Sequence, residues 1–265
     1  MAGATPLERV LRRDRAIVLV ALTGLTLLAW GYMAYEAWAM YRTGVCSCAG
    51  LKMSGPDLAP WSAWTLLPLF LMWAEMMVAM MIPTAAPMIL TFAAVNRKRR
   101  EQQGPYVPAG LFLLGYVIIW TGFSTFAAFG QWVLHGKALL SPMMVSTSPV
   151  FGGGLLIATG VFQWLPLKRS CLAHCRSPLG FIVTDWREGR AGALVMGLKH
   201  GAYCTGCCWL LMSLLFVAGV MNLWWIASIS GLVLVEKVTR HGLHVARIAG
   251  VVMILWGGWL LQKTA

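Results

Sequence analysis

Long apolar stretches separated by short, mostly basic segments dominate the chain. They fall near residues 17–40, 64–95, 109–134, 150–167, 191–218, 221–238 and 243–262. Each approaches or exceeds the length of about 20 residues that an α-helix needs to cross the hydrocarbon of a bilayer. The pattern predicts an all-α fold, a polytopic transmembrane helical bundle of about seven spans. The second stretch is long and carries Pro83 and Pro87, so a tilt, kink or break is expected there. The first run is too long for a signal-peptide core and is read as a helix. No loop is long enough for a separate soluble domain, so a single bundle is expected over residues 1–265.

Composition agrees with a lipid environment. Hydrophobic residues make up 59% of the chain and charged ones 11%, against about 25% charged in soluble domains. The mean hydropathy is +0.71. A net charge of +12 would fit a nucleic-acid partner, but the placement of the charges argues otherwise. Arg9, Arg12, Arg13 and Arg15 precede the first stretch and Arg97, Lys98, Arg99 and Arg100 follow the second. Lys168, Arg169, Arg176, Arg187 and Arg190 follow the fourth, and Lys237, Arg240 and Arg247 follow the sixth. The alternate loops hold only Arg42, Lys52, Lys137 and Lys263. The positive-inside rule then sets the N-terminus in the cytoplasm and the C-terminus outside. Basic residues in this pattern orient the chain in the lipid bilayer; no nucleic acid is expected as a partner.

The chemistry lies in the apolar runs. In HGAYCTGCCWLLM, the positions Met196, His200, Cys204, Cys208 and Met212 recur every four residues, with Cys207 beside them. On a helix they form one stripe of thioether, imidazole and thiol, a ligand set for soft or borderline ions such as Cu(I) and Zn(II). Cysteine and methionine also serve as ordinary packing residues in membrane helices, but three thiols within five positions favour metal or redox chemistry. Lys199 is a cation in the same stretch, which either pairs in a polar interior or snorkels to the interface. The second stretch carries MWAEMMVAMMIPTAAPM. Met72, Met76 and Met80 form one row, Met77 and Met81 a neighbouring one, and Glu75 is an intramembrane carboxylate with Lys199 or His200 as its candidate partners. Carbonyls freed by the prolines imply a polar interior nearby.

Two further cysteine groups are read as lying in loops. Cys171, His174 and Cys175 have helical spacing on the cytoplasmic side and form a candidate metal clasp, or else an inert reduced pair. Cys46 and Cys48 lie on the outer side, where thiols either receive metal or oxidise. Glu236 and Lys237 are read as ordinary interfacial residues at the end of the sixth stretch.

The succession MMIPTAAPM, LPLKRSCLAHCRSP, DWREGRAGA, HGAYCTGCCWLLM, MNLWW and LVLVEK resembles a bacterial family of predicted metal-binding integral membrane proteins, a domain of unknown function whose members are sometimes labelled copper chaperones. The resemblance spans about residues 70–262. It carries over onto Met80, Met81, Pro83, Pro87, Cys171, Cys175, Tyr203, Cys204, Cys207, Cys208 and Met212. The stretch FQWLP departs from the tyrosine-containing form of the family, and Cys46 and Cys48 have no place in its pattern.

Together these readings make the chain a multi-pass protein of the bacterial cytoplasmic membrane that binds a soft metal. Copper as Cu(I) is expected first and zinc second, for delivery to a membrane or extracytoplasmic acceptor or a membrane complex. Cys204, Cys207 and Cys208 are the principal candidate ligands. His200 and Met212 flank them, Met76 and Met80 form a relay, and Cys46 and Cys48 exchange metal outside. The alternatives are a membrane thiol-disulfide oxidoreductase, using Cys204 and Cys207 with the outer pair, and a structural or assembly subunit. Neither an ATP-binding loop nor a soluble catalytic domain is seen, so an enzyme is the lesser expectation.

Overall fold

The computed structural model describes residues 6–43, 46–48, 51–53, 65–101, 107–141 and 145–263, and the side chains of most of these. Among the described residues the chain is almost wholly helical. The helices are α1 (Pro6–Thr43), α2 (Leu66–Glu101), α3 (Ala109–Gly136), α4 (Pro149–Phe162), α5 (Pro166–Arg176), α6 (Pro178–Asp185), α7 (Gly189–Ser213), α8 (Leu215–Ala218), α9 (Leu223–Val238) and α10 (Gly242–Gln262). A short antiparallel hairpin, β1 (Cys46–Cys48) and β2 (Leu51–Met53), follows α1 and pairs Cys46 with Met53 and Cys48 with Leu51. The side chains of Cys46 and Cys48 lie outside the described ones.

Five stretches are long and apolar enough to cross a bilayer: Arg15–Ala39, Leu66–Arg99, Ala109–Gly136, Gly189–Ala218 and Gly242–Gln262. They make the chain a membrane protein. The two other stretches expected to span are helical but differ in form. Residues 150–167 do not form one straight rod: α4 ends at Phe162, α5 starts on Pro166, and the two axes are bent by 65°. The pair makes a sixth crossing if counted as one broken span. The stretch near 221–238 becomes α9, only 16 residues long. At about 1.5 Å per residue it falls short of the ~30 Å hydrocarbon. Ile17, Val20, Leu27 and Leu28 on α1, and Ile248, Val252 and Leu255 on α10, are exposed. So much bare apolar surface is stable only against lipid.

Helix α2 stays unbroken through both prolines. Pro83 has no N–H to offer the carbonyl of Ala79, and the indole of Trp30 on α1 donates to that oxygen instead, at 3.0 Å. The carbonyls of Met80 and Met81 accept from Ser230 on α9 at 3.3 Å and from Tyr116 on α3 at 3.1 Å. The loosened turn of α2 is thereby tied to three neighbours, which is the polar interior that the prolines imply.

Helices α3 and α7 pack with their backbones almost touching. A Cβ at Gly197 would run into the carbonyl of Phe112, and one at Gly115 into that of Leu194. Glycine at these two positions permits the approach, and the approach brings Tyr116 against the cysteines of α7. The basic ends gather at one pole of the bundle. Arg15, Arg97 and Leu179 line one cavity, Arg99 pairs with Glu188 and lies 4.5 Å over the Trp186 ring, and Arg176 donates to the carbonyls of Thr239 and Arg240 at 2.8 and 2.9 Å.

Candidate metal centre

The three thiols of α7 are buried, with exposures of 0%, 1% and 0% for Cys204, Cys207 and Cys208. Cys207 and Cys208 stand one turn after Cys204 and donate to its carbonyl oxygen, at 3.1 and 2.9 Å. Back-bonding of this kind satisfies a buried thiol within an apolar helix interface. The sulfur of Cys204 has different company. The Lys237 ammonium of α9 donates to it at 2.9 Å, and the Tyr116 hydroxyl of α3 lies 3.1 Å away. Lys237 also donates to the Thr84 hydroxyl of α2 at 2.9 Å. Side chains of α3, α7 and α9 therefore meet at one sulfur, and α2 joins them through the Lys237 ammonium.

A fourth thiol joins them. Cys175 of α5 is buried where α5 packs on α7, close to Cys204 and Cys207. Cys171, one turn earlier, is half-buried on the same side and faces the α7 backbone at Gly206. These five cysteines are free thiols. His200, one turn before Cys204, is 2% exposed. Its ring stacks on Phe112 and Tyr116 with centroids 5.9 and 5.5 Å apart, and its Nδ1 has no hydrogen-bond partner among the described residues. Met212, one turn after Cys208, is wholly buried.

Several sequence-based expectations change here. Cys171, His174 and Cys175 are not in a loop but on α5, and they face different neighbours. Cys175 turns into the α7 cluster, whereas His174 stacks on Tyr203 with centroids 4.1 Å apart and its Nδ1 sits 2.8 Å from the Ser170 carbonyl. Lys199 is paired with Asp185 and partly exposed, so it partners neither Glu75 nor the thiols. Glu75 lies away from His200 too, beside Glu36 of α1 in a separate cavity. Met76 lines that cavity, and Met80 is buried in α2 between it and the thiols.

Glu236 and Lys237 are not interfacial. Both are buried, at 1% and 7% exposure. Glu236 accepts from Lys168 of α5 at 2.7 Å and from Gln163 at 3.2 Å. This pair pins the end of α9 to α5, and the next residue is thereby aimed at Cys204. Sequence reading missed Lys237, Thr84 and Tyr116. A lysine at the end of an apolar run reads as a snorkelling residue, and a lone tyrosine or threonine in such a run carries no periodic signal.

Among the described residues no group of three or more His, Cys, Asp or Glu stands ready in metal-holding geometry. The cause is visible in the rotamers: two of the thiols point back at the Cys204 carbonyl. A metal would draw them off that oxygen and displace their protons. The donors are thus a gathered set of thiols with a buried ammonium at one of them, not a preformed cage.

Fold and site define a polytopic helical membrane protein with a buried thiol cluster facing a buried lysine. The chain belongs to the family described as PpoB2, copper chaperone, whose model matches residues 70–260. That range holds all five cysteines whose side chains are described, Lys237, Thr84 and Tyr116, and leaves α1 outside. No curated protein and no solved structure matches the chain.

Removing one partner of a buried ion pair leaves an unpaired charge, whereas removing both leaves none. Glu236→Gln and Lys168→Met should each lower stability in detergent by about 3 kcal/mol, and the double variant by much less than their sum. Unfolding of the purified proteins by heat or by denaturing detergent measures this; additive losses would mean that the pair does not hold α9.

Proposed function

We propose that the protein binds a soft metal ion, Cu(I), at the thiol cluster within the bundle and passes it to a membrane or extracytoplasmic acceptor. The observation that carries the reading is the burial of four thiols where α5 packs on α7, Cys175 with Cys204, Cys207 and Cys208, with the Lys237 ammonium 2.9 Å from the Cys204 sulfur. Thiolates suit Cu(I), as do the buried methionines of α2 that lead to them. The family description favours copper over zinc. Charge favours a low thiolate count: Cu(I) with two thiolates carries one negative charge, and Lys237 cancels it. A neutral sum is what an interior of low dielectric tolerates best. Tyr116 and Thr84 hold sulfur and ammonium in place. Metal capture then consists of turning thiols from a carbonyl onto the ion, and release reverses it, with no large helix motion. Transport driven by this chain alone would be downhill or coupled to another ion.

The orientation that accompanies this reading has the N-terminus in the cytoplasm and the C-terminus outside, with the basic pole inward. A membrane-impermeant thiol reagent applied to intact spheroplasts should modify Cys46 and Cys48 and spare Cys171 and Cys175. Modification of Cys171 would invert the topology.

The metal reading is tested on protein purified anaerobically in detergent. Wild-type protein should retain Cu(I), and the variant with Cys204, Cys207 and Cys208 all changed to Ser should retain at least one equivalent less. Lys237→Met should weaken Cu(I) retention about ten-fold or more, measured by competition with a Cu(I) chelator, because it leaves the thiolate complex without its counter-charge. Equal copper in wild type and triple variant would remove the proposal. A near-complete Cys204–Cys207 disulfide in protein alkylated before denaturation would favour the oxidoreductase reading instead.

A further inference from the structure

We propose that a second cavity, between α1, α2 and the start of α9, is a separate binding site for a soft monovalent cation, loading Cu(I) toward the thiol centre. This rests on the copper reading of that centre. The cavity is about 10 Å³, room for one water-sized body. Its chemistry comes from Met33 and Glu36 of α1, Met72, Glu75 and Met76 of α2, and Met221 just before α9.

Two observations point to a cation. Glu36 is 5% exposed, and its Oε2 has no hydrogen-bond partner among the described residues; the same holds for the buried Oε1 of Glu75. Carboxylate oxygens left unpaired at membrane depth are costly, and no lysine, arginine or histidine lines the cavity. A bound monovalent cation balances one carboxylate, and a proton on the other keeps the sum neutral. The other walls select which cation. Four thioethers repel no soft ion but offer nothing to Na⁺, Mg²⁺ or Ca²⁺, which require six or more oxygen donors or retained water. Two carboxylates without His or Cys likewise make a poor zinc site. Cu(I), with Ag(I) as its probe, accepts thioethers in low coordination number.

The same helix, α2, runs from the cavity to the neighbourhood of the thiols. Met76 and Thr84 are eight residues apart on α2, about 12 Å along the helix. Met80 and Met81, both 0% exposed, fill the interval. Thr84 touches Lys237, and the Met81 carbonyl touches Tyr116. An ion leaving the cavity thus finds thioethers at successive turns until it reaches Cys204. Glu36 and Met33 lie outside the family-matched residues 70–260, so α1 adds to the core a carboxylate and a thioether that the core alone does not hold.

The test titrates Cu(I), held as a competing chelate, into detergent-purified protein. A variant with Cys175, Cys204, Cys207 and Cys208 changed to Ser should still bind one equivalent. Adding Glu36→Gln and Glu75→Gln, which keep shape, or Met72→Leu and Met76→Leu, which keep volume, should lower that remaining affinity at least ten-fold. No binding by the thiol-free variant, with copper retained by wild type, overturns this inference and leaves the thiol centre standing. Unchanged affinity in the Gln and Leu variants overturns it too. Wild-type affinity and stoichiometry in the thiol-free variant would instead sink the thiol centre. A second readout needs no substitution: in wild-type protein with methyl-labelled methionine, Ag(I) beyond the first equivalent should shift the Met72 and Met76 methyl resonances, and silence there contradicts the site.

Discussion

A lysine ammonium inside an apolar bundle is tolerated only where another group answers its charge or its protons. Lys237 meets that condition at the sulfur of Cys204 and the hydroxyl of Thr84, both 2.9 Å away. That single requirement draws α9 to α7 and α2. Tyr116 on α3 completes the group at 3.1 Å from the same sulfur. The neighbouring Lys168–Glu236 pair, at 2.7 Å, anchors the end of α9 to α5, which carries Cys175. Placing the thiols and placing the charges are therefore one structural problem, solved at the end of a helix too short to cross the membrane by itself.

The remaining architecture serves this meeting point. Glycines at positions 115 and 197 let α3 and α7 approach until Tyr116 reaches the thiols. Pro83 loosens α2 without breaking it, and the freed Ala79 carbonyl is held by Trp30. The methionine rows of α2 then run past the site as a buried, polarizable wall. Methionine suits such a wall because it packs flexibly and still offers a weak sulfur donor.

Hydrophobic length and composition showed the membrane class and the helical fold directly, because both are one-dimensional signals. The limits of those signals explain the differences. Residues 150–167 satisfied hydropathy, but Pro166 starts a new helix there, and the bend follows. Residues 221–238 satisfied composition yet yield only a 16-residue helix. The thiol stripe of α7 was readable from its spacing of four, and so were the buried methionines. What the chain could not display was convergence. Cys175 lies nearly thirty residues before Cys204 and Lys237 more than thirty after it, and no local pattern links them. Glu75 stood out as an intramembrane carboxylate, but its true neighbour, Glu36, lies on another helix, and Lys199 had a closer partner in Asp185.

The account stands or falls on sulfur ligation of copper within the bundle. X-ray absorption at the copper edge, recorded on anaerobic protein loaded with one equivalent of Cu(I), reads it directly. Cu(I) held as proposed gives two sulfur neighbours at thiolate distance and no nitrogen or oxygen at comparable range. A spectrum dominated by nitrogen or oxygen neighbours, or one unchanged when the thiols of Cys175, Cys204, Cys207 and Cys208 are replaced, would contradict it.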